Sequence, residues 1–466
     1  MTFEHFLVNA LNSLKRRKAA ELRGRDLVLG TADTQGRREP VILREEARPR
    51  HLAIMGLTGT GKSYFIENLV RQDIERGTGF ALFDVHGDLA DSVVAYLARR
   101  AAWHEAILER VVLIEPFDAT HSIGFNPLER TARTSAFFQA QELAHILHTR
   151  WATRSFGART EELLRASLYT LSAHDLTLVE LQRLLTNHLF REQLIETIED
   201  RAVIDYWEGR YEPMSDRMKA AVREPILSRV SAFLADPQIR RIVGQRKSTF
   251  SFHDAITKGL FVIINLSKGK LGENSAVLGG LLFTKLALDV MAQAHTPAAE
   301  RRLFAVYADE LQNLADSNFT TLIAEARKYR IALTAGHQFW EQLSQEMRGA
   351  MLGVGSRVFF RLHHRDALHL AGELGLASRN RYATQLAALP PRQAIFRTGS
   401  DRPIEFRVET RDEAKPSRAE IERLRKHSQS FWAAPTPAIK ADSEARSRTQ
   451  SQPEIDETRR ASETEL

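Results

Sequence analysis

Gly56-Leu57-Thr58-Gly59-Thr60-Gly61-Lys62-Ser63 has the spacing G-x-x-x-x-G-K-[ST], and the rest of the chain is best read outward from it. Glycines at these positions let the backbone wrap closely, so that successive N–H groups and a helix N-terminus point at a triphosphate. Lys62 then supplies a point charge to the β- and γ-phosphates, and the Ser63 hydroxyl is a ligand for Mg²⁺. A glycine-rich turn would satisfy the glycines alone. The context decides between the two, because an apolar run (His51–Met55) precedes the stretch and a helical pattern from Lys62 to about Arg76 follows it.

Short apolar runs recur along the chain, at Phe80–Phe83, Val111–Ile114, 260–266 (LFVIINL), 303–308 (LFAVYA), 331–336 (IALTAG), 357–362 (RVFFRL) and 393–398 (QAIFRT). Helical patterns separate the earlier ones, which implies a parallel sheet with right-handed crossovers. Between 24 and 46 the alternation suggests a small β element. Residues 129–245 hold few strand-like runs and many helical ones, including Thr177-Leu178-Val179-Glu180, a capping box. The expected division is therefore a sheet domain at 27–128 and 246–410 and an all-α insertion at 129–245. From 411 a helix over AEIERLRKHSQSFW leads into a polar tail, 433–466, with almost nothing to bury and expected to be disordered.

The chain has 466 residues, no cysteine, 65 Lys+Arg and 59 Asp+Glu. Absent cysteines exclude thiol catalysis, Cys-type zinc and iron–sulfur clusters. A net charge of +6 is too mild to name a partner. A membrane-spanning helix needs about 20 apolar residues. Leu260–Leu266 is too short and Val277–Ala292 is interrupted by Lys285 and Asp289, so no integral membrane segment is expected. Residues 1–26 read as an N-terminal amphipathic helix, with Phe3, Phe6, Leu7, Ala10, Leu11 and Leu14 on one stripe and Lys15–Lys18 behind it. Such a helix packs on its own domain or lies on a membrane or partner.

A nucleotide site also needs a metal anchor and a group that activates water. The run ending in Asp309-Glu310 provides both if it is a parallel strand, because side chains leaving its C-terminal edge face the ligand crevice. Asp309 then holds Mg²⁺ through water and Glu310 polarises the attacking water. Gln338, after IALTAG, holds that water or reports hydrolysis; His337 and Gln338 otherwise cap the next helix. Arg327 closes a helix before the same strand, either as a transition-state arginine donated to a neighbouring subunit or as a partner of the helix dipole. His363, His364, His369 and Asp366 crowd together without a standard metal-ligand spacing. Basic clusters at 16–18 and 240–247 read as solvated faces, and Trp151, Trp207 and Trp340 are too scattered to form a base-stacking platform.

RHLAIMGLTGTGKS (50–63), LFDVHGDLAD (82–91), IGFNPL (123–128), NLSKGKLGENSAVLGGLL (265–282), YADELQN (307–313), EARKYRIALTAGHQ (325–338) and FFRLHHRDA (359–367) occur in this order. Together they resemble the HerA-like and TraG/TraD-like conjugative coupling-protein ATPases over roughly residues 27–410. The resemblance implies a RecA-like P-loop NTPase of the additional-strand catalytic-glutamate class with an inserted all-α subdomain, using ATP and Mg²⁺. It implies Lys62 and Ser63 as the Walker A pair, Asp309 and Glu310 as the Walker B pair, Gln338 as sensor and Arg327 as trans finger. Arg50 resembles a second arginine that reaches the phosphates, and Arg361 is a weaker third. It further implies a homo-oligomer, a hexameric ring around single- or double-stranded DNA, moving DNA in conjugative transfer through type IV secretion. Relaxase and secretion-channel proteins are then the expected partners. A repair or defence motor paired with a nuclease and a protein-export ATPase are the alternative readings.

Two departures stand out. Membrane-bound coupling proteins carry N-terminal transmembrane helices that this sequence does not show, so the expected location is cytoplasmic, with the helix at 3–14 as the means of peripheral attachment at the inner membrane. Val85 stands where many relatives have proline, while Asp84, His86, Gly87 and Asp88 keep the strand-end turn.

Overall fold

The computed structural model describes residues 24–130, 135–151, 156–314, 317–338, 340, 343–373, 378–399, 401–410 and 415–449. The amphipathic helix expected at the N-terminus and the tail beyond 449 lie outside the described residues. Thirteen strands are described: β1 (Leu27–Thr34), β2 (Arg37–Leu43), β3 (Leu52–Met55), β4 (Gly79–Asp84), β5 (Val111–Ile114), β6 (His121–Ile123), β7 (Phe261–Asn265), β8 (Phe304–Ala308), β9 (Ile331–His337), β10 (Ser356–Phe359), β11 (Gln393–Thr398), β12 (Ile404–Arg407) and β13 (Ala433–Pro435). Eleven form one sheet in the order β2-β1-β12-β11-β10-β3-β9-β8-β4-β7-β5. From β10 to β5 all pairs are parallel, and β11, β12, β1 and β2 extend the sheet antiparallel beyond β10.

The near-continuous apolar runs are explained by burial on both faces. Side chains alternate, so Leu52, Ile54, Phe80 and Leu82 enter one core with Phe65, Ile66 and Leu69 of the helix Lys62–Arg76 and Val93 and Leu97 of the helix Asp88–Ala101. Ala53, Met55, Ala81 and Phe83 enter the other with Leu143, Leu147, Leu163 and Leu168, from the helices that follow β6. Each of the larger side chains contributes roughly 1.5–3 kcal/mol by leaving water. The described residues of 136–258 contain no strand, and several of its helices start with side-chain caps, Asn187, Asp200, Ser215, Asp236 and Ser251 among them. The Thr177/Glu180 capping box forms as read, although the helix behind it begins as a 3₁₀ turn and ends at Thr186.

One expectation is qualified and one is corrected. Among the described residues one helix, Asn274–His295, is long and apolar enough to cross a membrane despite Lys285 and Asp289, but 89% of its most apolar window is buried inside the protein. Lys285 and Asp289 lie one turn apart and pair with each other at 3.6 Å, so the two charges that break the run neutralise each other in the core. The tail expected to be unstructured from 433 instead continues as β13, antiparallel to β6, and a helix over Thr436–Thr449. The helix Arg418–Trp432 explains why: it covers the β5 edge, where Ser428 Oγ accepts from Leu113 N and Arg425 makes a two-point contact with Glu115.

Behind the sheet, Arg48 donates to both oxygens of Asp73 at 2.8 and 2.6 Å, and Tyr307 Oη donates to the same carboxylate at 2.6 Å. All three side chains are buried. They tie the segment before β3, the helix Lys62–Arg76 and β8 to one point. Arg48→Met, which leaves the buried Asp73 carboxylate without a counter-charge and with only the Tyr307 bond, is expected to lower stability by about 3–5 kcal/mol in urea unfolding, and Arg48→Lys to recover little of it, since an ammonium cannot make the two-point contact.

His51, at a left-handed φ of 68°, accepts from Leu333 N through Nδ1 and donates from Nε2 to Ile323 O. Burial, against the bond to Ile323 O, pushes its pKa down to about 4. Between about pH 6.5 and 4 the unfolded chain therefore binds the proton that the folded chain refuses, and stability falls as pH drops through that window. His51→Gln is expected to flatten this slope in a series of unfolding curves across it.

Candidate nucleotide site

Because the seven strands from β10 to β5 run parallel, Met55, Ala308, His337 and Phe359 end at the same edge of the sheet. The phosphate-loop stretch leaves that edge from β3. Leu57 N donates to Arg361 O at 2.9 Å, and Phe65 N donates to Gly61 O at 2.9 Å inside the following helix. Between them Gly59 and Gly61 take φ of 74° and 106°, a region closed to most side chains. Gly56 is needed for another reason: a Cβ there would lie 2.6 Å from Phe360 Cβ.

Lys62 Nζ donates to Gly56 O at 2.6 Å and to Leu57 O at 3.2 Å, so its charge lies under the loop. Burial lowers its pKa, and Glu310 and Asp309 oppose the shift. Ser63 Oγ donates to Asp309 Oδ2 at 2.7 Å, joining residues 246 positions apart. Burial raises the Asp309 carboxyl above its ordinary value, with Glu310 and Asp84 adding to the effect and the Ser63 bond opposing it. A hydroxyl and a crowded carboxylate side by side are oxygen donors suited to a hard divalent cation. Gly336 leaves the space, since a Cβ there would lie 3.0 Å from Asp309 Oδ1.

Glu310 follows in a left-handed conformation (φ 55°, ψ 55°), which turns the chain sharply at the strand end. Gln338 links it to the loop: its Nε2 donates to Glu310 Oε1, and its Oε1 accepts from Thr58 Oγ1 at 2.8 Å. Gln312 Nε2 donates to the other Glu310 oxygen at 2.6 Å. β9 is inserted between β3 and β8, and this is what sets Gln338 between the loop and the two acids. His337, its neighbour, is buried, and burial with the nearby Lys62 pushes its pKa down to about 3, so the ring is neutral beside the lysine. The turn after β4 survives with Val85 buried, because Asp84 accepts from the backbone N of His86, Gly87 and Ala90, each at 2.9 Å.

Thus Lys62, Ser63, Asp309, Glu310 and Gln338 come together, and Arg361 abuts the loop through its carbonyl. Arg50 and Arg327 do not. Arg50 precedes β3 and Arg327 precedes β9, so both stand at the opposite edge of the sheet, exposed and with no ion pair among the described residues. β9 alone separates Arg327 from Gln338 by roughly 23 Å of strand, and β3 separates Arg50 from the loop by about 13 Å. Within one chain, Arg50 therefore does not sit at the phosphates. Sequence reasoning missed Thr58 as a partner of Gln338, Gln312 two residues after Glu310, and Arg392. Arg392 N donates to Thr60 O at 2.9 Å and its guanidinium lies 5.8 Å from the centre of the Tyr64 ring. Only Gln312 had a local signal, its place in YADELQN.

The plasmid coupling protein TrwB has the same fold. Its complex with the non-hydrolysable GTP analogue GDPNP aligns with a TM-score of 0.61 at 18% identity, covering 87% of this chain and 94% of that one. Its complex with ADP and Mg²⁺ aligns with the same values. VirB4 of Thermoanaerobacter pseudethanolicus aligns with a TM-score of 0.53 at 13% identity, covering 85% and 98%. No match is found among curated proteins. At these identities the alignments establish the fold, a RecA-like P-loop core carrying an all-α part. The family assignment comes from the sequence itself: over residues 40–375 the chain matches, and it belongs to, the family of the type IV secretion-system coupling protein DNA-binding domain.

Proposed function

We propose that this chain hydrolyses ATP with Mg²⁺ and uses the turnover to move DNA in conjugative transfer. The observation that carries the reading is the pair of bonds through Gln338, which connects the phosphate loop at Thr58 to the general-base candidate Glu310. Support also comes from family membership, and from the TrwB complexes with ADP and Mg²⁺ and with an ATP analogue. Ser63 and Asp309 would hold Mg²⁺, whose charge would neutralise the phosphate oxygens. Gly56 to Ser63 bind the phosphate chain and Lys62 supplies its charge. Glu310 takes the proton of the attacking water. Gln338 orients that water and, being bonded to the loop, reports loss of the terminal phosphate to Thr58.

In this reading Arg327 and Arg50 serve the site of a neighbouring copy. Their place at the edge opposite the loop suits a head-to-tail contact, which closes into a ring, here a hexamer. Residues 129–245 form one helical unit carried by the sheet domain of 27–128 and 246–410.

Lys62→Ala is expected to abolish nucleotide binding. Glu310→Gln should bind ATP normally and lose turnover on the order of 10²–10⁴-fold; hydrolysis by this variant at the normal rate would remove Glu310 as the base. Arg327→Ala subunits mixed with Lys62→Ala subunits should regain part of the ATPase that each lacks alone, and absence of rescue would dismiss the trans arginine. DNA should stimulate the ATPase, and the stimulation should fade across a salt series. A rate indifferent to DNA would point to a polypeptide substrate instead.

A further inference from the structure

The two arginines at the edge opposite the phosphate loop are borne by chain segments that meet at one buried ring. Arg50 ends the 3₁₀ turn Glu45–Arg50, and Arg327 lies in the turn Ala326–Tyr329 that follows the helix Ser317–Glu325. His51, next to Arg50 and 3% exposed, donates from Nε2 to Ile323 O at 2.9 Å, a carbonyl in the last turn of that helix. A helix end leaves such carbonyls without partners of its own. Through Nδ1 the same ring accepts from Leu333 N in β9 at 3.2 Å. On the β10 side, Gly355 N donates to Arg50 O at 2.6 Å and Ser356 N to His51 O at 3.2 Å. A Cβ on Gly355 would lie 2.4 Å from Arg50 Cβ.

A second tie, between Arg330 and Glu45 at 2.9 Å, joins the same two segments. Its side chains are partly exposed, and an ion pair in water fixes little. The His51 bonds are buried, where a broken bond leaves a polar group stranded, so the ring sets the relation of the two segments. Burial, opposed by the bond to Ile323 O and aided by the charge of the nearby Arg327, keeps that ring neutral, with one donor and one acceptor. Its left-handed φ of 68° is a strain that persists only where the surroundings over-determine it. We infer that His51 is a positioning residue for hydrolysis in a neighbouring copy: it holds the Arg50 and Arg327 segments in one fixed relation, so that both guanidiniums reach that copy's phosphates together. A misplacement of about 1 Å costs on the order of 10²-fold in rate, which is the scale at which such a tie matters.

This assignment rests on the proposed donation of arginines between copies, and its test separates the two. An Asn side chain reaches as far as Nδ1 of a histidine, and a Gln side chain as far as Nε2. His51→Asn therefore keeps the Leu333 bond, at a backbone conformation Asn tolerates, and loses the tie to Ile323; His51→Gln keeps that tie. In the full chain His51→Asn is expected to lower kcat on the order of 10²-fold with KM for ATP unchanged, and His51→Gln to retain most of it. Mixed with Lys62→Ala subunits, His51→Asn subunits should regain part of the ATPase, because one partner brings a sound phosphate loop and the other sound arginines. Damage to the variant's own site would not be rescued in this way. Gly355→Ala, which crowds Arg50 without touching the ring, should be rescued alike, and it decides the matter if His51→Asn does not fold. Rescue of Arg327→Ala without rescue of these variants, or an unchanged kcat in His51→Asn, would overturn the role of His51. Failure to rescue Arg327→Ala as well would overturn the donation of arginines itself.

Discussion

Asp73 is the point on which the remaining geometry depends. Its carboxylate is held by the guanidinium of Arg48 and the phenol of Tyr307, with almost no solvent access for any of the three. The desolvation of such a pair offsets much of its attraction, so its contribution is less to net stability than to fixing one arrangement. Here that arrangement joins three chain segments. The helix bearing Asp73 begins at Lys62, the strand bearing Tyr307 leads directly into Asp309, and Arg48 stands two residues before Arg50. A shift of the phosphate-loop helix against β8 would break the Tyr307–Asp73 bond, and a shift against the segment before β3 would break a bidentate contact, both in the protein interior.

Charge is sorted by the two edges of the sheet. The C-terminal edge gathers Asp84, Asp309 and Glu310 around one lysine, and the N-terminal edge exposes Arg50 and Arg327. The whole-chain balance of +6 conceals this separation.

The parallel core could be read from the sequence because doubly buried strands are short apolar runs bounded by punctuation, as LAIM before Gly56 and FAVYA before Asp309 show. The acids and Gln338 could be placed because a strand's end in sequence is its C-terminal edge in space. β12 and β13 escaped, since Ile404–Arg407 is mostly exposed and Ala433–Pro435 has no apolar pattern; both are strands only because a partner fixes them. Thr436–Thr449 failed for a related reason, buried chiefly through Thr436 and Ile439. Arg392 was invisible because its contacts with Thr60 and Gly61 are made across the fold. Arg50 was singled out by resemblance alone, and β3 sets it at the edge of the sheet opposite the loop of its own chain.

The position of β9 also sets when the site comes into being. Leu333 meets His51 across 282 residues, and Gln338 meets Thr58 across 280. As the chain leaves the ribosome, the helices of 136–258 can pack on their neighbours early, since their contacts are local. β3 must wait for partners made much later, and closing so long a loop slows the step. Until β9 and β10 arrive, the phosphate loop has no wall on either side and β3 exposes two unpaired edges. Nucleotide binding is thus a property that the nascent chain acquires nearly last, and the interval before it is when this protein is most open to wrong pairing.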